Sequence, residues 1–306
     1  METVYYPEGM LLGTPANEEW VSTQSALAAA AMEGVVLEGR VAMCDAAHNL
    51  HIDLPCMKGI ILREEGAIGI DDGTTRDIAL ISRVGKAVCF TVMGFENTVD
   101  GVRAVLSRRL AQEACRRQYF TCHRTGDIVR AKVTRLESFG AFCDIGCGVT
   151  ALMPIAGMSV SRISHPRDRL RVGMDVCAVI LSMDDGRICL SQRELLGTWE
   201  QNVARFAQGE TVMGIVRSIE PYGVFIELSP NLAGLAEPRG DLVPGQMVSV
   251  YIKSILADKM KVKLIIIDVG GEAPPPAAPD YYITDGHIDR FVYSPPSADR
   301  RIEMVF

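Results

Sequence analysis

The chain has 306 residues, 48% hydrophobic and 23% charged, enough for two or three ordinary domains or more small ones, and this balance excludes wholesale disorder. No apolar run approaches the ~20 residues of a bilayer span, and Met1 to Tyr6 show neither the basic start nor the apolar stretch of a secretory signal, so a cytoplasmic protein without a membrane partner is expected. The formal net charge of −7 lacks the basic footprint of a typical nucleic-acid binder. However, Arg124, Arg130, Lys132, Arg135, Arg162, Arg167, Arg169, Arg171, Arg187 and Arg193 crowd the middle of the chain, where local field counts for more than the total.

In chain order, residues 1–20 read as loop and 25–33 as an Ala-rich helix, together an N-terminal extension over 1–34. Residues 35–108 form a faint repeat unit, opened by Leu37-Glu38-Gly39-Arg40-Val41 and continued by His48-Asn49-Leu50-His51-Ile52-Asp53-Leu54. Val105, Leu106, Leu110 and Ala111 at helical spacing, with no Gly or Pro between them, predict a helix over 102–119, and the linker is assigned to 109–123. Yet Val105-Leu106-Ser107-Arg108 also matches Cys189-Leu190-Ser191-Gln192-Arg193 at the end of the next unit.

That unit, 124–193, alternates with period two, which is the signature of strands. Val129, Ala131 and Val133 point one way and Arg130, Lys132 and Thr134 the other; Ala141, Cys143 and Ile145 oppose Phe142 and Asp144. A strand near 175–183 runs through the Asp184-Asp185-Gly186 turn into Arg187 to Leu190, a hairpin signal. Gly126 to Ile145 then superimposes without a gap on Gly209 to Leu228 at a constant offset of 83 residues, which implies a duplicated domain over 208–268. The stripe Leu195, Leu196, Trp199, Val203 and Phe206 predicts a helix over 191–206, with the linker at 194–207. After Asp268, Gly270-Gly271-Glu272-Ala273-Pro274-Pro275-Pro276 reads as a linker, and the aromatics of the 269–306 tail suit short strands or docking. Short strands bounded by turns suggest small closed barrels, since closure removes exposed edges.

In the middle unit the outward set combines Phe139 and Phe142 with Arg130, Lys132 and, across the hairpin, Arg187. Bases stack on aromatic faces and cations follow phosphates, so this surface suits single-stranded nucleic acid. Phenylalanines are more often core residues, but alternation places Phe142 opposite the apolar row. Gly140, between the rings, is expected to bend the chain so that both present to one side.

The pattern Gly126-x-Ile128-Val129, Phe139-Gly140-Ala141-Phe142, Val176-x-Ala178-x-Ile180 and Arg187-Ile188-Cys189-Leu190-Ser191-Gln192-Arg193 resembles the S1 RNA-binding domain, an OB-fold barrel. Residues 208–267 resemble a second copy and about 35–108 a divergent one; the whole chain looks like the short, multi-domain relatives of bacterial ribosomal protein S1. The expected fold is therefore all-β, with tandem five-stranded OB-fold barrels of S1 type joined by helical linkers. The resemblance implies RNA contacts at Phe139, Phe142, Asp184 and Arg187. It also implies a histidine where this chain has Leu152-Met153-Pro154, a contact that is either lost or supplied by another group such as Arg162 or His165 in the following loop.

In the third unit Tyr222 and Phe225 persist, but Met213 and Ile215 replace the two cations, leaving Arg217, Lys253, Lys259, Lys261 and Lys263. In the first unit His48 and His51 stand among Glu38, Asp45, Asp53, Glu64 and Glu65, acidic surroundings that disfavour phosphate. A structural or docking role is expected there, and the resemblance implies the small ribosomal subunit as partner.

Nine cysteines without a CxxC pair argue against a disulfide framework. The clusters Cys143 with Cys147, and Cys115 with Cys122 and His123, do not have zinc-knuckle spacing, so no metal or other cofactor is expected. There is no Walker loop, Gly-x-Ser-x-Gly or His-Glu-x-x-His, so the reading is of a non-catalytic protein that binds single-stranded RNA, namely mRNA, in translation. A free RNA chaperone or RNA-decay accessory protein, and a protein-interaction scaffold with incidental RNA binding, remain alternatives.

Overall fold

In the computed structural model, residues 5–99, 101–184 and 186–306 are described; Asp185 of the expected turn and the start of the chain, 1–4, lie outside the described residues. The chain divides into two compact units, Met1–His123 with Asp144–Thr150, and Arg124–Cys143 with Ala151–Phe306.

The first unit does not open as loop throughout. Thr14, whose hydroxyl accepts the Asn17 N–H at 3.3 Å, caps α1 (Pro15–Val21), and proline at the first helical position costs no hydrogen bond. Thr23 caps α2 (Gln24–Glu33), the Ala-rich helix, which stops at Gly34 in the left-handed region at φ +67.

There follow β1 (Leu37–Cys44), β2 (Leu50–Asp53), β3 (Lys58–Ile61), the single turn α3 (Ile78–Ile81), β4 (Ala87–Thr98) and β5 (Gly101–Ser107), closing a barrel in the order β1-β2-β3-β5-β4. Leu37, Leu50, Ile52, Ile61, Phe90 and Leu106 fill its interior, each burial stabilising by about 1.5–3 kcal/mol.

The helix expected over 102–119 begins only at Arg108. Residues up to Ser107 instead pair with β3 and β4, as in Ala104 opposite Gly59 and Leu106 opposite Val92. Ser107 ends the strand and caps α4 (Arg108–Cys122), accepting the Leu110 N–H at 2.9 Å.

Within this unit the N-terminal segment carries a buried charge network. Glu8 takes Arg108 at 2.6 Å and Arg83 at 3.0 Å, and its N–H donates to Asp144 at 2.7 Å. Asp144 is therefore buried, not on the outward row with Phe142 as alternation suggested, because its carboxylate also closes the turn by accepting N–H groups from Gly146 and Gly148.

The middle barrel consists of β6 (Ile128–Glu137), β7 (Gly140–Asp144), β8 (Thr150–Pro154), β9 (Asp175–Asp184) and β10 (Arg187–Ser191), in the order β10-β8-β7-β6-β9. Val129, Ala131 and Val133 are buried, while Arg130 and Thr134 are exposed and Lys132 half-buried, so the expected alternation of β6 is present. Arg187 pairs with Asp184 across the hairpin, and a parallel pairing of Cys189 with Leu152 brings β10 against β8.

The stripe at 191–206 is not one helix. Ser191 still belongs to β10, Gly197 takes φ +85, and Thr198 then caps only a short α5 (Trp199–Val203) through a capping box with Gln201. The apolar residues of the stripe are real core residues, but a turn divides them: Leu195 and Trp199 belong to separate clusters.

The third barrel, β11 (Thr211–Glu220), β12 (Gly223–Ser229), β13 (Leu232–Ala236), β14 (Gln246–Leu256) and β15 (Lys261–Glu272), closes in the order β11-β12-β13-β15-β14. β15 runs on through Gly270 and Gly271, since Glu272 still pairs with Gln246, so the linker starts later than its glycines suggested.

The tail forms a two-stranded sheet of β16 (Arg290–Val292) and β17 (Glu303–Val305) and docks within the second unit. Tyr281 accepts the Cys177 N–H and donates to Gln192, both at 3.2 Å; His287 lies 2.6 Å from Asp127; and Tyr293 donates to the Asn231 carbonyl at 2.6 Å. Among the described residues no helix is long and apolar enough to cross a membrane.

Candidate nucleic-acid interface

Phe139 stands in the turn from β6 to β7, 55% exposed, and Phe142 follows on β7, half-buried. Their rings meet edge to face, with centroids 6.0 Å apart and planes at 88°. The third barrel repeats the arrangement: Tyr222, 66% exposed, and Phe225 lie 6.2 Å apart, also at 88°. In each pair the first ring is exposed and stands nearly perpendicular to the second.

Gly140 has a different role from the bend expected of it. A Cβ there would come within 2.5 Å of the Met153 carbonyl oxygen, so glycine lets β7 approach β8 closely. Gly223 plays the same part against the Ala236 carbonyl, at 2.6 Å.

Along β6 the cations follow the aromatic pair. Thr134 donates to the Phe142 carbonyl, which places it beside that ring, and Lys132 and Arg130 lie two and four residues back on the same face, roughly 7 and 13 Å away at strand rise. Lys132 is 3.6 Å from Asp175, a loose pairing, whereas Arg130 and Arg187 are exposed and make no ion pair among the described residues. Asp184 is exposed at the hairpin. Arg187 precedes Cys189, the residue paired with Leu152, so it lies toward the Thr150 end of β8; Phe139, which accepts the Ile155 N–H, lies at the other end.

The loop after β8 separates the two substitutes proposed for the missing histidine. His165 caps a short 3-10 turn, its Nδ1 accepting the Arg167 N–H at 3.1 Å, so its ring has a local structural task. Arg162 is exposed and borders a cavity with Tyr222 and Phe225 of the third barrel. It thus stands beside the other barrel's aromatic pair.

In the third barrel Arg217 is not an available cation. It is clamped on Glu227 at 2.8 and 3.1 Å, and Arg169 binds the same buried carboxylate. Lys261, with Lys253, Lys259 and Lys263, is exposed. Sequence reasoning missed this Arg169–Glu227–Arg217 cluster, although one signal was available: the 83-residue offset carries buried Asp144 onto Glu227.

In the first barrel His51 lies 3.0 Å from Asp45, and that hydrogen bond above all holds the aspartate well below the usual carboxylate range; His48 lies 3.3 Å from Asp77. Both imidazoles therefore face acids. Among the described residues no His, Cys, Asp and Glu group could hold a metal. The cysteine clusters seen in the sequence are not the ones the fold assembles. Cys147 interacts with the thiols of Cys115 and Cys89, which lowers its own thiol below the usual range, and His123 stacks on Tyr119 with centroids 4.6 Å apart.

This geometry, aromatic pairs at the head of a five-stranded barrel with cations trailing along one strand, has a counterpart among known families. Residues 122–193 match the S1 RNA binding domain. The chain is 29% identical over 231 residues to the small ribosomal subunit protein bS1 of Streptococcus pneumoniae, covering 68% of this chain and 57% of that protein. It is 32% identical over 182 residues to bS1 of Staphylococcus aureus, covering 54% of this chain and 46% of that one. The chain thus spans about half the length of these curated relatives. Among solved structures, a complex of a/eIF2alpha, aDim2p and rRNA from Pyrococcus horikoshii aligns over 27% of this chain and 51% of its own, with 31% identity and a TM-score of 0.24.

Proposed function

We propose that the protein is a non-catalytic, cytoplasmic binder of single-stranded RNA that takes up mRNA in translation. The observation that carries this reading is the open aromatic pair on the S1-matching barrel, Phe139 and Phe142, followed by Lys132 and Arg130 on the adjacent strand. Each base stacked on such a ring contributes about 1–3 kcal/mol whatever its identity.

The working division is three modules, 35–108, 124–193 and 208–268, connected by 109–123 and 194–207. The first module is assigned to docking on the small ribosomal subunit, because its histidines are matched to Asp45 and Asp77 and offer phosphate no cation. The name of the bS1 relatives, small ribosomal subunit protein, supports that subunit as partner.

Phe139→Ala combined with Phe142→Ala is expected to weaken binding of a single-stranded RNA at least tenfold, about the value of one lost stack. Unchanged affinity in a fluorescence titration removes the assignment to this face. Co-sedimentation of the full chain with small subunits at low salt tests the docking part; its absence there favours a free RNA-binding role.

A further inference from the structure

We propose that Arg162, carried by the middle barrel, completes the aromatic face of the third barrel, so that the two barrels jointly hold one nucleotide of a bound RNA. The base rests on Tyr222 and Phe225, and its phosphate meets Arg162. The proposal rests on the single-stranded RNA reading and specifies how the third barrel takes part in it.

The third barrel has no free cation on β11, the strand that corresponds to the cation-bearing β6, and its exposed lysines lie on β14, on β15 and in the turn between them. Its aromatic pair is built like that of the middle barrel, yet Met213 and Ile215 stand where Arg130 and Lys132 stand in the repeat, and Arg217 is bound to Glu227. Stacking alone leaves the phosphate without a partner.

A cavity of about 370 Å³ lies against Tyr222 and Phe225, within the range of small-ligand sites, and Arg162 forms part of its wall. Arg162 makes no hydrogen bond or ion pair through its side chain among the described residues. Glu220, Ser218 and Arg217 also line the cavity, and Arg217 is held on Glu227. Glu220 repels a phosphate and accepts a hydrogen bond from a base amino group or a ribose 2′-hydroxyl, so the anionic end of a nucleotide is directed toward Arg162.

The loop that carries Arg162 is fixed to the third barrel. Val160 N–H donates to the Asn231 side chain at 2.9 Å, and Ser161 N–H to the Pro230 carbonyl at 3.2 Å. Asn231 is fully buried and donates in turn to the carbonyls of Arg193 and Gly197 at 2.7 and 2.8 Å. Further along the loop, Arg169 grips Glu227. The loop is thus held on both sides of Arg162, so little order must be created on binding.

The test uses the full chain and a 12-nucleotide oligouridylate, with Phe139→Ala and Phe142→Ala as background so that the third barrel is read out. In that background Arg162→Ala is expected to lower affinity about tenfold, the worth of one charge-assisted contact, and to reduce the salt slope by about 0.7. With Tyr222→Ala and Phe225→Ala added, the same change is expected to cost less than about twofold, because residues that share a ligand do not act additively. Arg162→Lys should restore part of the loss.

An equal effect with and without the third-barrel aromatics overturns the joint site, as does no effect of Arg162→Ala. Coupling of Arg162 to Phe139 and Phe142, measured in the Tyr222→Ala, Phe225→Ala chain, also overturns it while leaving the RNA reading intact. If neither aromatic pair affects binding, the RNA reading fails and the joint site fails with it.

Discussion

Asp144 carries a carboxylate into a nearly dry place. Burial, and then the nearby charge of Glu8, push it up to about 7, against the N–H groups of Glu8 and Gly146 that favour the anion. The folded protein therefore binds a proton that the unfolded chain, with a carboxylate near 4, releases. That contribution to stability is complete below about pH 4 and is lost as pH rises through 7. Asp144→Asn keeps an oxygen for Gly146 and Gly148 and removes the titration. From pH 5 to pH 8 the wild-type chain should lose stability relative to Asp144→Asn, on the order of 2–4 kcal/mol. Thermal unfolding at the two pH values checks this; parallel shifts of the two midpoints would show that Asp144 is ionised throughout. The sequence placed Asp144 by alternation alone. Neither partner was legible, because Glu8 and Arg108 reach it through the folding of the first unit and not through any spacing along the chain.

The aromatic faces depend on strand separation. A Cβ on Gly140 meets the backbone of β8, which cannot move aside as the end of a side chain can, so Gly140→Ala must part β7 from β8. The expected cost is about 1–3 kcal/mol in stability, accompanied by weaker RNA binding, since Phe139 and Phe142 flank the displaced residue. Gly240→Ala, with nothing within 4 Å of its Cβ, serves as the neutral control in the same denaturation and titration measurements. The strands themselves were easy to read where one face is buried. The two helix predictions overran for a common reason: spacing of apolar residues tells that they are buried but not by what. Val102 to Ser107 is claimed by neighbouring strands, and 191–206 is cut by Gly197, whose φ of +85 ends one element and allows the next to start.

For the molecule as a whole, a net charge of −7 coexists with exposed cations, Arg130, Arg162 and Arg187, that make no ion pair among the described residues. If Arg130, Arg187 and Arg162 each meet a phosphate, with Lys132 assisting, log affinity should fall with log salt at a slope of about −2 to −3. A titration series from 50 to 300 mM salt, about the range in which such losses are read, checks this; a flat series would assign the binding to stacking alone. The tandem barrels were legible because duplication leaves a constant offset in the sequence. The joining of the loop at 159–169 to the third barrel was not, since Asn231 and Glu227 are ordinary polar residues until their partners arrive.

The tail's grip on the middle barrel also sets an order of events during synthesis. β10 ends at Ser191, whereas Tyr281 and His287, which hold Cys177 and Asp127, are added long afterwards. At about 5–20 residues per second the nascent middle barrel spends several seconds closed but unfastened. Its edge at Ile128, later covered when Gly286 accepts its N–H at 3.0 Å, is open to solvent in that interval. A ribosome stalled before residue 281 would therefore display this barrel in a form with faster amide exchange at Ile128 and Cys177 than the finished protein has.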